Sequence, residues 1–242
     1  MTDRLRTTGP TAGDTVRHPA LRSALRLRLT ATYVILLAVT ACWLATRSHA
    51  ERVRFMRHNS SNVHHMEVGK WWTMFTSGLV VDGVPAWVGI AGVAAVLGLA
   101  EWRWGPARAG AVFVFGHLGA TLLTEGAMWV MLTVRIPGAL SRARDVGISY
   151  GLVATAACLL ALGHRSLRRY ALPALAVALA AAWALDQQLA DAGHLVALGL
   201  GVLASRTPWL RAAAARASGG EPGSGSGAAP DREPAPSGAH SG

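Results

Sequence analysis

Ser149 stands in Gly147-Ile148-Ser149-Tyr150-Gly151, and His194 stands in Asp191-Ala192-Gly193-His194. A hydroxyl and an imidazole are the smallest set of groups able to carry nucleophilic acyl transfer, the imidazole taking the hydroxyl proton as the oxygen attacks a carbonyl. Each of the two residues lies near the start of a separate apolar run with the composition of a bilayer-crossing helix. A polar group inside a membrane is costly enough to raise a functional question. Each also has a bland reading. A serine in an apolar helix often bonds back to a carbonyl of its own helix, and a single histidine often serves packing. Only a meeting of the two at one depth, on neighbouring helices, separates chemistry from packing.

The elements that must position them are apolar. Hydrophobic residues make up 52% of the chain and charged residues 15%, and the mean hydropathy is +0.32. A soluble domain carries about 25% charged residues. The net charge of +10 would point to nucleic acid in a soluble protein. Here the arginines cluster at the ends of apolar runs, so they read as orientation signals and no nucleic-acid partner is expected. Cys42 and Cys158 both fall inside apolar runs, which excludes a disulfide framework, and neither has a metal-ligand spacing.

Six runs read as spanning helices, near Leu29 to Thr46, Val84 to Ala100, Pro106 to Thr133, Val146 to Gly163, Tyr170 to Leu185 and Ala190 to Ser205. Each is close to the roughly 20 residues that a bilayer needs. The polar step Asp186-Gln187-Gln188 separates the last two by a tight turn. With both termini inside, 15 basic residues fall on the cytoplasmic side and 8 on the outer side, the orientation that the positive-inside rule selects. A cleaved leader is a weaker reading of the first run. Ser48-His49-Ala50 is only loosely like a cleavage site, and Arg47 sits beside it. The expected organisation is a cytoplasmic tail over residues 1–28, a membrane domain over 29–205 and a disordered cytoplasmic tail over 206–242, rich in Gly, Ser, Pro and Ala.

The segment between the first two runs holds Trp71, Trp72, Met74 and Phe75, which fit a stretch lying at headgroup depth. It also holds His58, His64, His65 and Glu67. These lack a strong metal-ligand motif and read as surface residues, so no metal is expected.

In this topology the fourth and sixth runs both enter from the outer side. Ser149 lies about 6 Å along its helix axis from Asp145, and His194 about 4.5 Å from Asp191, taking the rise per residue. The two groups are therefore expected at similar, shallow depth. Gly147 and Gly151 flank the serine, while Gly193, Ala197 and Gly201 give the histidine's helix a small-xxx-small face. Such faces let helix backbones approach closely in lipid.

These residues resemble the rhomboid intramembrane serine proteases. Gly147-Ile148-Ser149 is similar to the opening of the family's Gly-x-Ser-Gly motif, and His194, Ala197 and Gly201 are similar to its Ala-His-x-x-Gly-x-x-x-Gly, with Ala for one Gly. Upstream, Gly69-Lys70-Trp71-Trp72-Thr73-Met74-Phe75-Thr76 resembles Gly-x-Trp-Trp-Arg-x-x-Thr, and Glu101-Trp102-Arg103-Trp104-Gly105 resembles the Glu-Arg…Gly segment after the second helix. The likeness covers about residues 69–205. It implies an all-α membrane protein with a six-transmembrane-helix rhomboid-like bundle in the cell membrane. It further implies a catalytic pair of Ser149 and His194, with backbone support for an oxyanion from Gly147, Ile148 and Tyr150. No cofactor is implied, and the partner would be a transmembrane segment of another protein, met within the lipid bilayer. The chain departs from the pattern in three places. The family's His-x-x-x-Asn of the second helix has no counterpart between Pro85 and Gly89, Tyr150 replaces the glycine after the nucleophile, and Val153 stands where the family has Tyr. The alternative these departures imply is a pseudoprotease that binds membrane helices as a chaperone or scaffold. His117 in Gly116-His117-Leu118-Gly119 does not replace the missing pair, and Glu125, an intramembrane carboxylate, is expected to face a cavity or to pair with Arg135 or His117. A small transporter would call for more intramembrane charge and for inverted repeats, which the chain lacks.

Overall fold

Long apolar runs leave the backbone one way to satisfy its polar groups in hydrocarbon, the hydrogen-bonded helix. A computed structural model describes residues 27–134, 148–186 and 188–217, and the described residues form helices and their connections without a strand. In chain order the helices are α1 (Arg28–Ala45), α2 (His49–Asn59), α3 (Val63–Glu67), α4 (Thr73–Thr76) with a 3-10 turn (Ser77–Leu79), α5 (Ala86–Trp104), α6 (Pro106–Thr133) and α7 (Ser149–Leu162). A π turn (Leu167–Ala171) then leads into α8 (Leu172–Asp186), followed by α9 (Leu189–Ala204) and α10 (Pro208–Ala217).

Among the described residues, α1, α5 and α6 are long and apolar enough to cross a membrane, with 18, 19 and 28 residues. Helices α7, α8 and α9 have 14, 15 and 16 residues, or about 21–24 Å at 1.5 Å per residue, against a hydrocarbon thickness of about 30 Å. The fourth run is thus shorter than its composition implies, because its helix begins at Ser149 rather than near Val146. Gly147 and Arg135 lie outside the described residues, as do residues 1–26, Gln187 and residues 218–242.

Breakers set the joints. Gly105 takes φ +83, which a side chain would resist, and Pro106 starts α6 where a missing N–H costs nothing. Pro173 cannot donate to the carbonyl four residues back, and the chain meets it through the π turn.

The start of α1 has no side-chain cap of its own. Glu101, near the end of α5 and 1% exposed, serves instead. Its Oε1 accepts from the Leu29 N–H at 2.9 Å, and its Oε2 accepts from the Thr30 N–H and the Thr30 hydroxyl, both at 2.7 Å. A carboxylate here answers both the free amides and the positive end of the helix. Leu37 of α1, Val93, Leu97 and Trp104 of α5, Phe113 of α6 and Cys158 of α7 form the main core.

Two regions hold more structure than the sequence implies. Between α1 and α5 the expected loop contains three short helices and the 3-10 turn, with Trp71, Trp72 and Phe75 exposed and Met74 buried. At the other end, the expected tail from residue 206 begins with α10, whose Leu210 and Ala213 are buried against α5 and Trp104. An alanine-rich stretch with a Leu at the right spacing has helix propensity enough once a neighbour covers that face.

Helix α2 opens on a capping box in which the Ser48 hydroxyl and the Glu51 amide bond, and Glu51 accepts from the Ser48 N–H at 2.9 Å. These bonds from Ser48 hold the Glu51 carboxyl below its ordinary value. A depressed carboxyl lends stability above its unfolded value and loses it as pH falls through the folded one. The first turn of α2 should therefore fray as pH falls below the ordinary carboxylate range. Backbone chemical shifts of α2 in micelles should show this, and Ser48→Ala should blunt the pH response. First-turn shifts that do not move with pH, or that move equally in Ser48→Ala, would reject the assignment.

Candidate active site

Glycines bring α6, α7 and α9 together. A Cβ on Gly116 would run into Ala154, one on Gly193 into the Tyr150 ring, and one on Gly201 into the Ala154 carbonyl; on Gly151 it would meet the Phe113 ring at 2.7 Å. The expected small face of Gly193, Ala197 and Gly201 is therefore the surface that α9 lays against α7. Ala120, Tyr150, Ala154 and Ala197 form one buried cluster, with Val153, Val196 and Leu200 packed around it. Helices α6 and α7 run antiparallel, Ala120 beside Tyr150 and Gly116 beside Ala154, while α9 runs parallel to α7.

Substitution separates this seam from open positions. Gly201→Val pushes a branched side chain onto a backbone carbonyl that cannot swing away, and should cost about 1–3 kcal/mol in thermal unfolding in detergent. A Cβ on Gly199 meets nothing within 4 Å, so Gly199→Val should stay within about 0.5 kcal/mol of wild type. Equal effects at the two glycines would mean that α7 and α9 do not meet here.

The seam sets the level of the two chemical groups. Tyr150 is 2% exposed, and its ring meets the His194 ring edge-on with centroids 5.3 Å apart. Ser149 and His194 are thus level with one another on neighbouring helices. Ala120 marks this level, and α6 continues from there to Thr133, about 20 Å further. The pair therefore stands level with the middle of α6.

Residues 149, 152 and 153 share a helical face. Leu152 lies 3.3 Å from a Cβ built on Gly92 of α5, and Val153 packs against the cluster of Ala120, Tyr150, Ala154 and Ala197. Ser149, half-buried, therefore lies on the side of α7 that Leu152 turns toward α5. No hydrogen bond joins Ser149 to His194 in this arrangement. Catalytic hydrogen bonds in ligand-free enzymes are often long and tighten only with substrate.

Ser149 is the first residue of α7, Ile148 at the cap is 4% exposed, and no side chain caps the end. The first amides of the helix have no carbonyl within the helix to bond. They are aimed, with the positive helix end, at the space beyond Ser149.

Two neighbours of His194 carry more than the sequence reading gave them. Tyr150 entered as a backbone group, yet its ring is what packs against the imidazole. Asp191 Oδ1 lies 3.8 Å from His194 Nδ1, too long for a hydrogen bond but close enough for charge to act. The i,i+3 spacing of Asp191 and His194 on one helix is the sequence signal for that contact.

The other polar candidates are engaged elsewhere. His117 Nε2 bonds the Met74 carbonyl at 2.9 Å and lies 3.5 Å from Ser77 Oγ, so its partner is the α4 turn and not Glu125. Glu125 is 2% exposed. His65 Nδ1 bonds the Ser60 carbonyl at 2.7 Å, and the His58 ring meets the Trp72 ring at a tilt with centroids 5.2 Å apart. Among the described residues, no three His, Cys, Asp or Glu side chains are grouped to hold a metal.

The family described as "Rhomboid-like protein" matches residues 25–215. Comparison with curated proteins and with solved structures returns no match.

Proposed function

The chain belongs to the rhomboid-like family, and on that premise we propose that it is an intramembrane serine protease that cleaves the transmembrane segments of other membrane proteins. The observation that carries this reading is the placement of Ser149 and His194 level with one another on adjoining helices, locked there by the contact of Tyr150 with the imidazole and Gly193.

In the proposed reaction Ser149 Oγ attacks the scissile carbonyl while His194 takes its proton. The imidazolium then returns that proton to the leaving amine, and water repeats the sequence on the acyl-enzyme. Asp191, near Nδ1, favours the imidazolium while it exists. Amides at the head of α7, at Ser149 and Tyr150, would stabilise the oxyanion together with the helix end. Gly147 and Ile148 would shape the same turn. The proposal includes six crossings, α1 and α5–α9, with both termini on the cytoplasmic side of the cell membrane. The short helices α7, α8 and α9 would be accommodated by local thinning of the bilayer. A substrate helix would enter between helices and unwind toward Ser149.

A second reading is favoured by a specific observation. No side chain stands at Pro85–Gly89 to replace the family's oxyanion pair. Gly89 is instead packed against Val81, on which a Cβ there would impinge. A protein with this feature could hold client helices without cutting them.

A fluorophosphonate probe on the purified protein in liposomes separates the two. Labelling of the wild type that disappears in both Ser149→Ala and His194→Ala supports the protease. An unlabelled but folded wild type supports the binding protein.

A further inference from the structure

The side of α5 that faces Ser149 is not covered by side chains of α5. A Cβ on Gly98 of α5 would lie 3.6 Å from Thr30, and one on Gly110 of α6 would lie 3.2 Å from Leu29. Both helices therefore meet the first turn of α1 at the same level, and they run antiparallel about the Gly105 joint. Helix α6 is itself antiparallel to α7, so α5 and α7 are parallel. Their register is set where Gly92 meets Leu152. Three residues back along each helix, about 4.5 Å, Gly89 stands level with Ser149. Gly89 is buried and has no side chain to offer. A Cβ there would run into Cγ1 of Val81, whose methyl groups occupy the place that such a side chain would take.

Val81 is held in that place. It comes two residues after the 3-10 turn Ser77–Leu79, and Val80 between them is 1% exposed. The Tyr33 hydroxyl of α1 donates to the Gly78 carbonyl in the turn. The Met74 carbonyl, just before it, bonds Nε2 of His117 on α6 at 2.9 Å. Carbonyls at the end of a short helix lack partners within it, and here two long helices supply the donors. The segment that carries Val81 is thus pinned to both α1 and α6. Val81 also packs against the main core, to which Ile148, the neighbour of Ser149, belongs. It is only half-buried, so part of its side chain is open to a further contact.

On the reading of Ser149 as a protease nucleophile, we propose that Val81 sets the size of the substrate residue that supplies the scissile carbonyl. A carbonyl under attack by Ser149 Oγ brings its own side chain beside the serine. On the α5 side, the surface at that level is the pair of Val81 methyl groups over Gly89. Methyl groups offer no hydrogen bond, so this wall disfavours a polar residue, which would lose its water there. A branched side chain is stiff at χ1, and this one stands on a pinned backbone, so it yields little to a larger residue. Val81 is therefore a specificity-determining residue and takes no part in proton transfer.

The test uses two peptide aldehydes, alike except for a terminal alanine or leucine aldehyde, as protectants against fluorophosphonate labelling of the full chain in liposomes. Ser149 Oγ would add to the aldehyde carbon to form a hemiacetal, its proton passing by way of His194 to the new hydroxyl. The terminal side chain then lies where the substrate residue would. The wild type should be protected at a concentration of the alanine aldehyde at least about tenfold below that of the leucine aldehyde, the weight of a methylene in an apolar pocket. Val81→Ala should remove most of that preference, and Val81→Phe should enlarge it. A variant that merely loosens the fold weakens both aldehydes alike and leaves their ratio unchanged. Should Val81→Phe fail to fold, Val81→Ala decides. Equal protection by the two aldehydes in a labelled wild type, including none by either, would overturn the proposal. So would a preference that persists unchanged in Val81→Ala. Both results would leave Ser149 as the nucleophile, whereas a folded wild type that takes no label would remove the nucleophile and the role of Val81 with it.

Discussion

Ser149→Ala and His194→Ala should each lower the cleavage of a transmembrane reporter in liposomes by about 10⁴–10⁶-fold, and the double variant should be no slower than either single one. The reason is that the two groups act as one. A serine hydroxyl is a poor nucleophile until a base takes its proton, and the base has no task without the hydroxyl. Neither substitution should unfold the protein. Ser149 is half-buried and makes no hydrogen bond to His194, and His194 touches Tyr150 with its ring edge. Melting temperatures near wild type are therefore expected alongside the lost activity. Tyr150→Ala gives a different signature. It removes the ring that holds the imidazole and opens space under Gly193, so it should lower both the rate and the stability. Multiplicative losses in the double variant, or residual cleavage within tenfold of wild type in either single one, would show that Ser149 and His194 are not a dyad.

Glu101→Ala should cost about 3–5 kcal/mol in reversible unfolding in mixed micelles, the largest stability loss of any single substitution considered. It removes three hydrogen bonds at once and strands two amides and a hydroxyl in a buried place. A hydrogen bond to a charged group contributes about 1.5–3 kcal/mol, and leaving a buried donor unmet adds its own desolvation cost. The losses are not additive, because α1 can shift to find water, which sets the upper figure. Glu101→Gln keeps one acceptor and turns the other into a donor facing one of the two backbone amides, so it should fall between wild type and Ala. The packing of α1 against α5 is anchored here, and disulfide trapping between the two helices should weaken with the same order of variants. A Glu101→Gln protein as stable as wild type would mean that shape, and not charge, secures the start of α1.

The all-helical class, the three long helices and the limits of most elements follow from the sequence alone, because apolar runs of these lengths, ended by Gly105, Pro106 or arginine clusters, have few other structures open to them. The resemblance to the rhomboid-like family also lay in residues that stand in order along the chain, and the small face of Gly193, Ala197 and Gly201 was legible in their spacing. Contacts between elements were not legible. No local pattern says that Glu101 caps a helix over 70 residues before it, because capping across the fold depends on where α5 ends relative to α1. Helix α10 was hidden in a composition that looked like a tail, since its stability comes from the cover that α5 gives Leu210 and not from its own sequence.

The site shows the same division. Residue types at positions 149 and 194 announced a hydroxyl and an imidazole, while the i,i+3 spacing that carries the contact of Asp191 with His194 was present in the sequence but unread. Only tertiary packing decided that Tyr150, and not a residue one turn further along, lies against the imidazole. Packing also set the level of the pair near the middle of α6. The level of groups in a bundle is fixed by which side chains interlock between helices, here Ala120, Tyr150, Ala154 and Ala197, and that is a property of three helices together, which no single stretch of sequence contains.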